Sequence, residues 1–176
     1  TGDQGVQSQA LESGVVDVVF VDSVYSKILK QKGMNILAEY SELKQPLVSQ
    51  STVVPGAFLQ KYPDVAEGYL KGEIEGIAFA VAPKNKAVVI KILMRRLRVN
   101  AEAAEEGYSD MLRGIDRKPF ASLEGMRNLQ RLLKPRNPKI AEVKVDDVVD
   151  NRIMRRLDES GFIDRAFAVQ GASFKP

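Results

Sequence analysis

The run Val15-Val16-Asp17-Val18-Val19-Phe20-Val21 constrains the fold more than any other stretch of the chain. Its β-branched side chains are stiff at χ1, lose freedom in a helix and pack well on a pleated surface. Gly14 precedes it and Asp22-Ser23 follow it, so turn-forming residues bound it on both sides. A short, almost continuous apolar run of this kind reads as a strand buried on both faces, as in a parallel sheet. Upstream, Val6, Ala10 and Leu11 share one face of a helix over 5–13, with Gly14 as a left-handed cap. Downstream, Asp22 and Ser23 offer N-cap oxygens to a helix over 24–31, Gly33 stops it, and a second short strand is expected over 34–38. Strand, helix and strand at this spacing predict a βαβ unit, and hence an α/β start.

Beyond residue 46 the character shifts. The segment 47–54 reads as one more strand, bounded by Pro55-Gly56. A turn of helix over 57–61 leads to Pro63, well placed as the first residue of a long helix. Val65, Tyr69, Leu70, Ile74, Ile77, Ala78 and Val81 follow in that helix at a period near 3.6, and Pro83 interrupts it. Helices are predicted over 86–97, with Val89, Ile90, Leu93 and Leu97 on one stripe, and over 101–112, ended by Gly114. Ser122 caps a further helix whose Leu123, Met126, Leu129, Leu132 and Leu133 form an apolar stripe expected in the core, and Pro135 limits it. Asp146-Asp147 reads as a connector. Asn151 caps a helix over 152–159 that Gly161 stops, and the tail from Phe162 onward reads as irregular.

Composition narrows the chemistry. The 176 residues contain no histidine, cysteine or tryptophan. Ser-His and Cys-His nucleophile pairs, thiolate chemistry and the usual zinc ligand sets are therefore all excluded. A carboxylate-only metal or acid/base site stays open, but no spacing announces one, so no cofactor, metal or catalytic residue is expected. With 26 Lys and Arg against 23 Asp and Glu the chain is mildly basic, and the two signs are interspersed. Nucleic-acid domains concentrate their cations. The nearest cluster here, Arg95, Arg96 and Arg98, reads as a solvated helix face, so no nucleic-acid partner is expected. No apolar stretch approaches the ~20 residues needed to cross a bilayer. Thr1-Gly2-Asp3-Gln4-Gly5 carries none of the marks of a signal peptide, and this start reads as the interior of a longer protein.

Five segments, in order, carry a family resemblance. Gln9-Ala10-Leu11-Glu12-Ser13-Gly14-Val15-Val16-Asp17-Val18-Val19 resembles the "ALxxGxxDA" segment of ABC-importer solute-binding proteins of the nitrate, sulfonate, taurine and thiamine-precursor class. Lys32-Gly33-Met34-Asn35-Ile36-Leu37-Ala38 is similar to their "kkG-x-rvLa" segment. Tyr62-Pro63-Asp64 resembles the "NP(E/D)" that opens a helix ending in Glu75-Gly76-Ile77. Ser122-Leu123-Glu124-Gly125 is similar to a later "SLEG", and Val148-Val149-Asp150-Asn151 with Leu157-Asp158-Glu159-Ser160-Gly161-Phe162-Ile163 resembles the closing "vD(n)…LeeSGFI". The resemblance implies an α/β chain forming part of a two-lobed, type II periplasmic-binding-protein fold with a helix-rich C-terminal half. Residues 1–47 would then be a remnant of lobe two, and 48–176 the hinge strand and the C-terminal part of lobe one.

The function so implied is the capture of a small anionic or polar organic ligand between two lobes, outside the cytoplasmic membrane, and its delivery to the importer's membrane subunits. A lipid anchor would belong to a preceding segment. Ligands in open α/β sheets sit beyond the carboxyl ends of strands, and in this family the turn matching Asp22-Ser23-Val24-Tyr25 faces the cleft. Asp22 could accept from a ligand amine or hydroxyl and Ser23 could donate to an anion, or both could simply cap the following helix. Amides near Thr1 and Gly2 could receive a carboxylate or sulfonate at a helix N-terminus, or belong to an ordinary capped helix start. Ser49 and Gln50, with Ser51, could bond the ligand from the hinge strand, or occupy that strand's solvent face. Two other functions share the fold. Thiamine-pyrimidine synthases depend on histidine, which is absent here, and LysR-type regulators carry an effector domain of this shape behind a helix-turn-helix.

Overall fold

Local capping chemistry sets most of the helix boundaries. The structure, a computed structural model, describes residues 3–39, 46–48 and 51–171. The Asp3 carboxylate accepts from the Val6 amide at 2.9 Å and opens α1 (Gln4–Glu12). Asp22 Oδ1 accepts from the amides of Val24 (3.0 Å) and Tyr25 (3.1 Å) and opens α2 (Ser23–Gln31). Two glycines close these helices. Gly14 (φ 72°) and Gly33 (φ 87°) adopt the left-handed conformation. In each case the glycine amide and the next amide turn back to carbonyls of the last turn: Gly14 to Leu11 and Val15 to Ala10, Gly33 to Lys30 and Met34 to Leu29. Proline opens α4 (Pro63–Val81), which follows α3 (Gly56–Lys61). After a 3₁₀ turn at Pro83–Asn85 come α5 (Lys86–Leu97) and α6 (Ala101–Gly114), with the Asn100 side chain accepting from Ala103 N at 2.9 Å. Ser122 Oγ accepts from Gly125 N at 3.0 Å to open α7 (Leu123–Leu133). A 3₁₀ turn (Pro138–Glu142) precedes α8 (Val145–Val148), α9 (Arg152–Glu159) and α10 (Phe162–Gln170).

The expected α/β architecture is not there. Among the described residues no strand or sheet forms, so the chain is helical and not a two-lobed α/β fold. The 15–21 run leaves Val15 76%, Val18 65% and Phe20 75% exposed, while Val16, Val19 and Val21 are only half-buried. The 34–38 segment leaves Leu37 exposed, and of the expected hinge strand the described Val53 and Val54 are exposed as well. The physical reason is that a strand is not a local object. β-branched composition favours a pleated surface only where another strand supplies the ladder and another layer covers the face. Here the α1–α2 connection satisfies its first amides on α1, and among the described residues no second edge joins it.

Three further expectations fail. The tail from Phe162 is helical, with Ile163 and Phe167 fully buried on one face of α10 between the left-handed Gly161 and Gly171. The α7 stripe is not core: Leu123, Leu132 and Leu133 are exposed, while the buried residues of α7 are Gly125 and Asn128. Asn128 Nδ2 donates to the Pro46 carbonyl at 2.7 Å, and a Cβ on Gly125 would crowd Val48 and Leu47 at 3.2–3.3 Å. That face of α7 therefore receives the 46–48 backbone, which a bulkier apolar face would exclude. Asn151 stands at the start of α9 but does not cap it. Its amide instead clamps Ala121, donating to the carbonyl and accepting from the amide, both at 2.9 Å.

The helices group into two compact units, each with its own core. The first comprises Thr1–Glu42 and Lys84–Ile115, the second Leu43–Pro83 and Asp116–Pro176. In the first, α6 packs against both α2 and α5, and α1 packs on α2. Val24, Leu29, Val89, Ile90, Ala103, Ala104 and Tyr108 make its core. Gly107 lets α2 approach closely, since a Cβ there would collide with Val24 Cγ2. In the second, α4 packs on α10 and α9, burying Ile74, Ala78, Met154, Leu157, Ile163 and Phe167. Burying each large side chain of that set contributes about 1.5–3 kcal/mol.

Candidate functional site

The residues singled out from the sequence do not gather into one described site. Thr1, Gly2, Ser49 and Gln50 lie outside the described residues. Asp22 is exposed and holds two amides of α2 through one oxygen, while its own amide donates to Gln4 Oε1 at 2.7 Å. Ser23 is the first residue of α2. Tyr25 is half-buried with its ring edge over Gly5, whose added Cβ would meet the phenol oxygen at 3.4 Å. The start of α1 already carries the Asp3 carboxylate, so an anion arriving there would meet a negative charge. Thr52, next to the expected hinge contacts, donates to Glu73 Oε2 at 3.0 Å, which ties it to α4.

A different set of residues converges in the second unit. A cleft of about 470 Å³ is lined by Glu67, Lys71, Arg156, Leu157, Glu159, Ser160, Phe162 and Arg165. Glu67 and Lys71 lie one turn apart on α4, and the rest come from α9, the Ser160-Gly161 turn and α10. Glu67 is the pivot, with Lys71 Nζ at 2.7 Å and Arg156 Nη2 at 2.9 Å. The hydrogen bond from Lys71, and then that from Arg156, favour the ionised form and hold the Glu67 carboxyl below the usual glutamate range. Lys71 also stands 5.7 Å over the Phe162 ring. Arg165 Nη1 donates to the Ser160 carbonyl at 2.7 Å, which aligns its guanidinium along the turn.

The electrostatics of this cleft favour an anion. Three cations (Lys71, Arg156, Arg165) face two carboxylates (Glu67, Glu159). Helix α10 starts at its rim, and Gly161 in the N-cap position has no side chain to cover the first amides. Those amides add the positive end of a helix dipole. The Asp164 carboxylate in the same first turn is engaged elsewhere, by Arg117 Nη2 at 2.6 Å. Phe162 adds an apolar wall. A small organic anion with an apolar body therefore fits the cleft in charge and in chemistry.

A second, smaller cleft of about 360 Å³ lies among Leu123, Asp146, Asp147, Val149, Asp150, Asn151, Arg152 and Arg155. Three of its five charged side chains are held in ion pairs. Asp150 takes the Arg152 guanidinium at 2.6 Å and the Arg152 amide at 2.9 Å, which lower its pKa in that order, and Asp146 takes Arg127 at 3.0 Å. Among the described residues no group of acidic side chains is arranged to hold a metal ion, and no helix is long and apolar enough to cross a membrane.

Comparison with known proteins adds no relative. No protein-family model matches the chain, no curated protein matches it, and no solved structure matches it. Sequence reasoning missed the larger cleft, because Glu67 and Arg156 lie 89 residues apart. One local signal pointed toward it, the Glu67–Lys71 pair at helical spacing.

Proposed function

We propose that this chain is the solute-capturing component of an ABC importer, acting outside the cytoplasmic membrane, and that its ligand is a small organic anion. One observation carries the reading. Two of the five segments that resemble such proteins, the 62–77 helix and the 157–163 segment, come together at the cationic cleft around Glu67. A ligand carboxylate or sulfonate would take hydrogen bonds from Arg165 and from the remaining donors of Arg156 and Lys71, with its apolar part against Phe162. The chain would act as a carrier and not an enzyme, in keeping with a sequence that has no histidine or cysteine. Delivery follows if the importer's membrane subunits favour the ligand-bound form over the free one, which requires only a difference in affinity between the two.

Isothermal calorimetry with nitrate, an alkylsulfonate, an aromatic carboxylate and an aminopyrimidine tests this. At least one organic anion is expected to bind, and Arg165→Gln and Arg156→Gln are each expected to weaken it about tenfold or more, the loss of a charged hydrogen bond. Failure of every anion to bind, or binding indifferent to both substitutions, would refute it.

A further inference from the structure

The charge distribution of the first unit is uneven in a way the solute-binding proposal does not use. Between Glu75 and Glu102 the chain holds six cations (Lys84, Lys86, Lys91, Arg95, Arg96 and Arg98) and no acidic residue. Most of them ride on α5. The helix buries Val89 and Ile90 in the first unit's core, and turns Val88, Lys91, Ile92, Arg95 and Arg96 outward. At 100° per residue, positions 88, 91, 92 and 95 fall on one face, with 96 at its edge. That face mixes charge with apolar surface, since Val88 is 50% and Ile92 41% exposed.

Three carboxylates of the neighbouring helix are already paired. On α6, which packs on α5, Glu105 takes Lys86 at 2.6 Å, and Glu106 and Asp110 take Lys27 at 3.3 and 3.6 Å. Glu102, four residues past Arg98, forms no ion pair among the described residues. Among those residues none pairs with Lys91, Arg95, Arg96 or Arg98 either. Arg98 has a second peculiarity. It sits at the end of α5 in the left-handed conformation (φ 55°, ψ 43°), the one non-glycine among the described residues with positive φ. Glycine would adopt that geometry without strain. A cation is thus held in a position that the backbone alone would give to glycine, and such strain is a reason to look for function.

We infer that the outer face of α5 is a docking surface for an anionic lipid membrane. Lys91, Arg95, Arg96 and Arg98 would meet the acidic headgroups, while Val88 and Ile92 enter the headgroup–acyl boundary. The apolar pair decides between membrane and nucleic acid. A phosphate backbone gives exposed valine and isoleucine nothing to bury against, whereas a lipid interface does. The surface lies wholly within the first unit, and the anion cleft wholly within the second.

Flotation of the whole chain with vesicles tests it. Binding is expected to equimolar phosphatidylserine and phosphatidylcholine, not to phosphatidylcholine alone, and is expected to fall as salt rises. Each interfacial cation should be worth about fivefold in partitioning, so the double variant Arg95→Gln/Arg96→Gln should bind roughly 25-fold more weakly. Arg98→Gly separates binding from folding: it should lose about fivefold in partitioning while its melting temperature stays level or rises. Val88→Ser/Ile92→Ser should weaken vesicle binding at a salt concentration where the wild type still binds. Equal binding to neutral vesicles, Arg98→Gly binding as the wild type does, or a short DNA duplex binding more tightly than the anionic vesicles in the same buffer would each overturn the inference. These outcomes do not depend on whether the cleft takes an anion.

Discussion

Gly107→Ala should destabilise the first unit even though alanine is the better helix former. Gly107 lies in mid-α6, where replacing glycine by alanine in an open position is worth about 1 kcal/mol of helix propensity. An added Cβ, however, collides with Val24 Cγ2 on α2. Val24 is buried, 8% exposed, and its branched side chain has little rotamer freedom in a helix with which to retreat. Overpacking of this kind costs about 1–3 kcal/mol, so after the helix-propensity gain the net effect should be a destabilisation of up to about 2 kcal/mol. The sign should reverse once the obstacle is removed. Val24→Ala alone should cost about 2 kcal/mol. In that background Gly107→Ala should stabilise by about 1 kcal/mol, because its methyl group then fills space that the valine has left. Urea titration followed by helical circular dichroism on the four proteins of the cycle measures both signs. Stabilisation by Gly107→Ala in the otherwise native chain would refute the packing of α2 on α6.

Other expectations follow from single positions. Gly72→Ala on α4 meets nothing within 4 Å and should stabilise by about 0.5–1 kcal/mol, the opposite sign to Gly107→Ala, in the same titration. Phe167→Ala, at a fully buried site on α10, should cost about 3–5 kcal/mol, read as an earlier thermal transition. Asn151→Ala strips both hydrogen bonds from the Ala121 backbone and should cost about 2 kcal/mol by the same measure. Glu67 has its pKa lowered on folding. The stability it contributes is therefore present above the unfolded glutamate value of about 4.3 and is lost as pH falls through the lower folded value. Glu67→Gln should flatten that acid limb of a stability-against-pH curve, and an unchanged limb would show that the two cations do not hold the carboxylate.

What was legible in the sequence is what local chemistry writes. Asp22 and Ser122 place the starts of α2 and α7 because a short polar side chain can reach an amide two or three residues ahead. Gly14 and Gly33 place the ends of α1 and α2 because their αL geometry is encoded by the residue type. The valine run at 15–21 misled because a strand is completed by a partner, and its composition says nothing about whether one exists. The leucine stripe of α7 misled for a similar reason. Amphipathicity marks a face that could be buried, and the face that is buried was chosen by the small Gly125 and by Asn128 reaching the Pro46 carbonyl. Helix α10 was missed although Phe162, Ile163, Ala166 and Phe167 keep helical spacing, because the flanking glycines read as an irregular tail. The candidate cleft could not be read at all as a cleft. The pairing of Glu67 with Arg156 is a product of the α4–α9 packing.

The role of the cleft is tested most directly by a two-dimensional ¹⁵N–¹H NMR titration of the labelled chain with an alkylsulfonate and an aromatic carboxylate. Amides around Glu67 and Lys71 on α4 and those of Ser160, Gly161 and Phe162 are expected to move together and saturate with one dissociation constant. Shifts confined to the Asp22–Tyr25 turn, or no saturable shift with either anion, would contradict anion capture at this cleft.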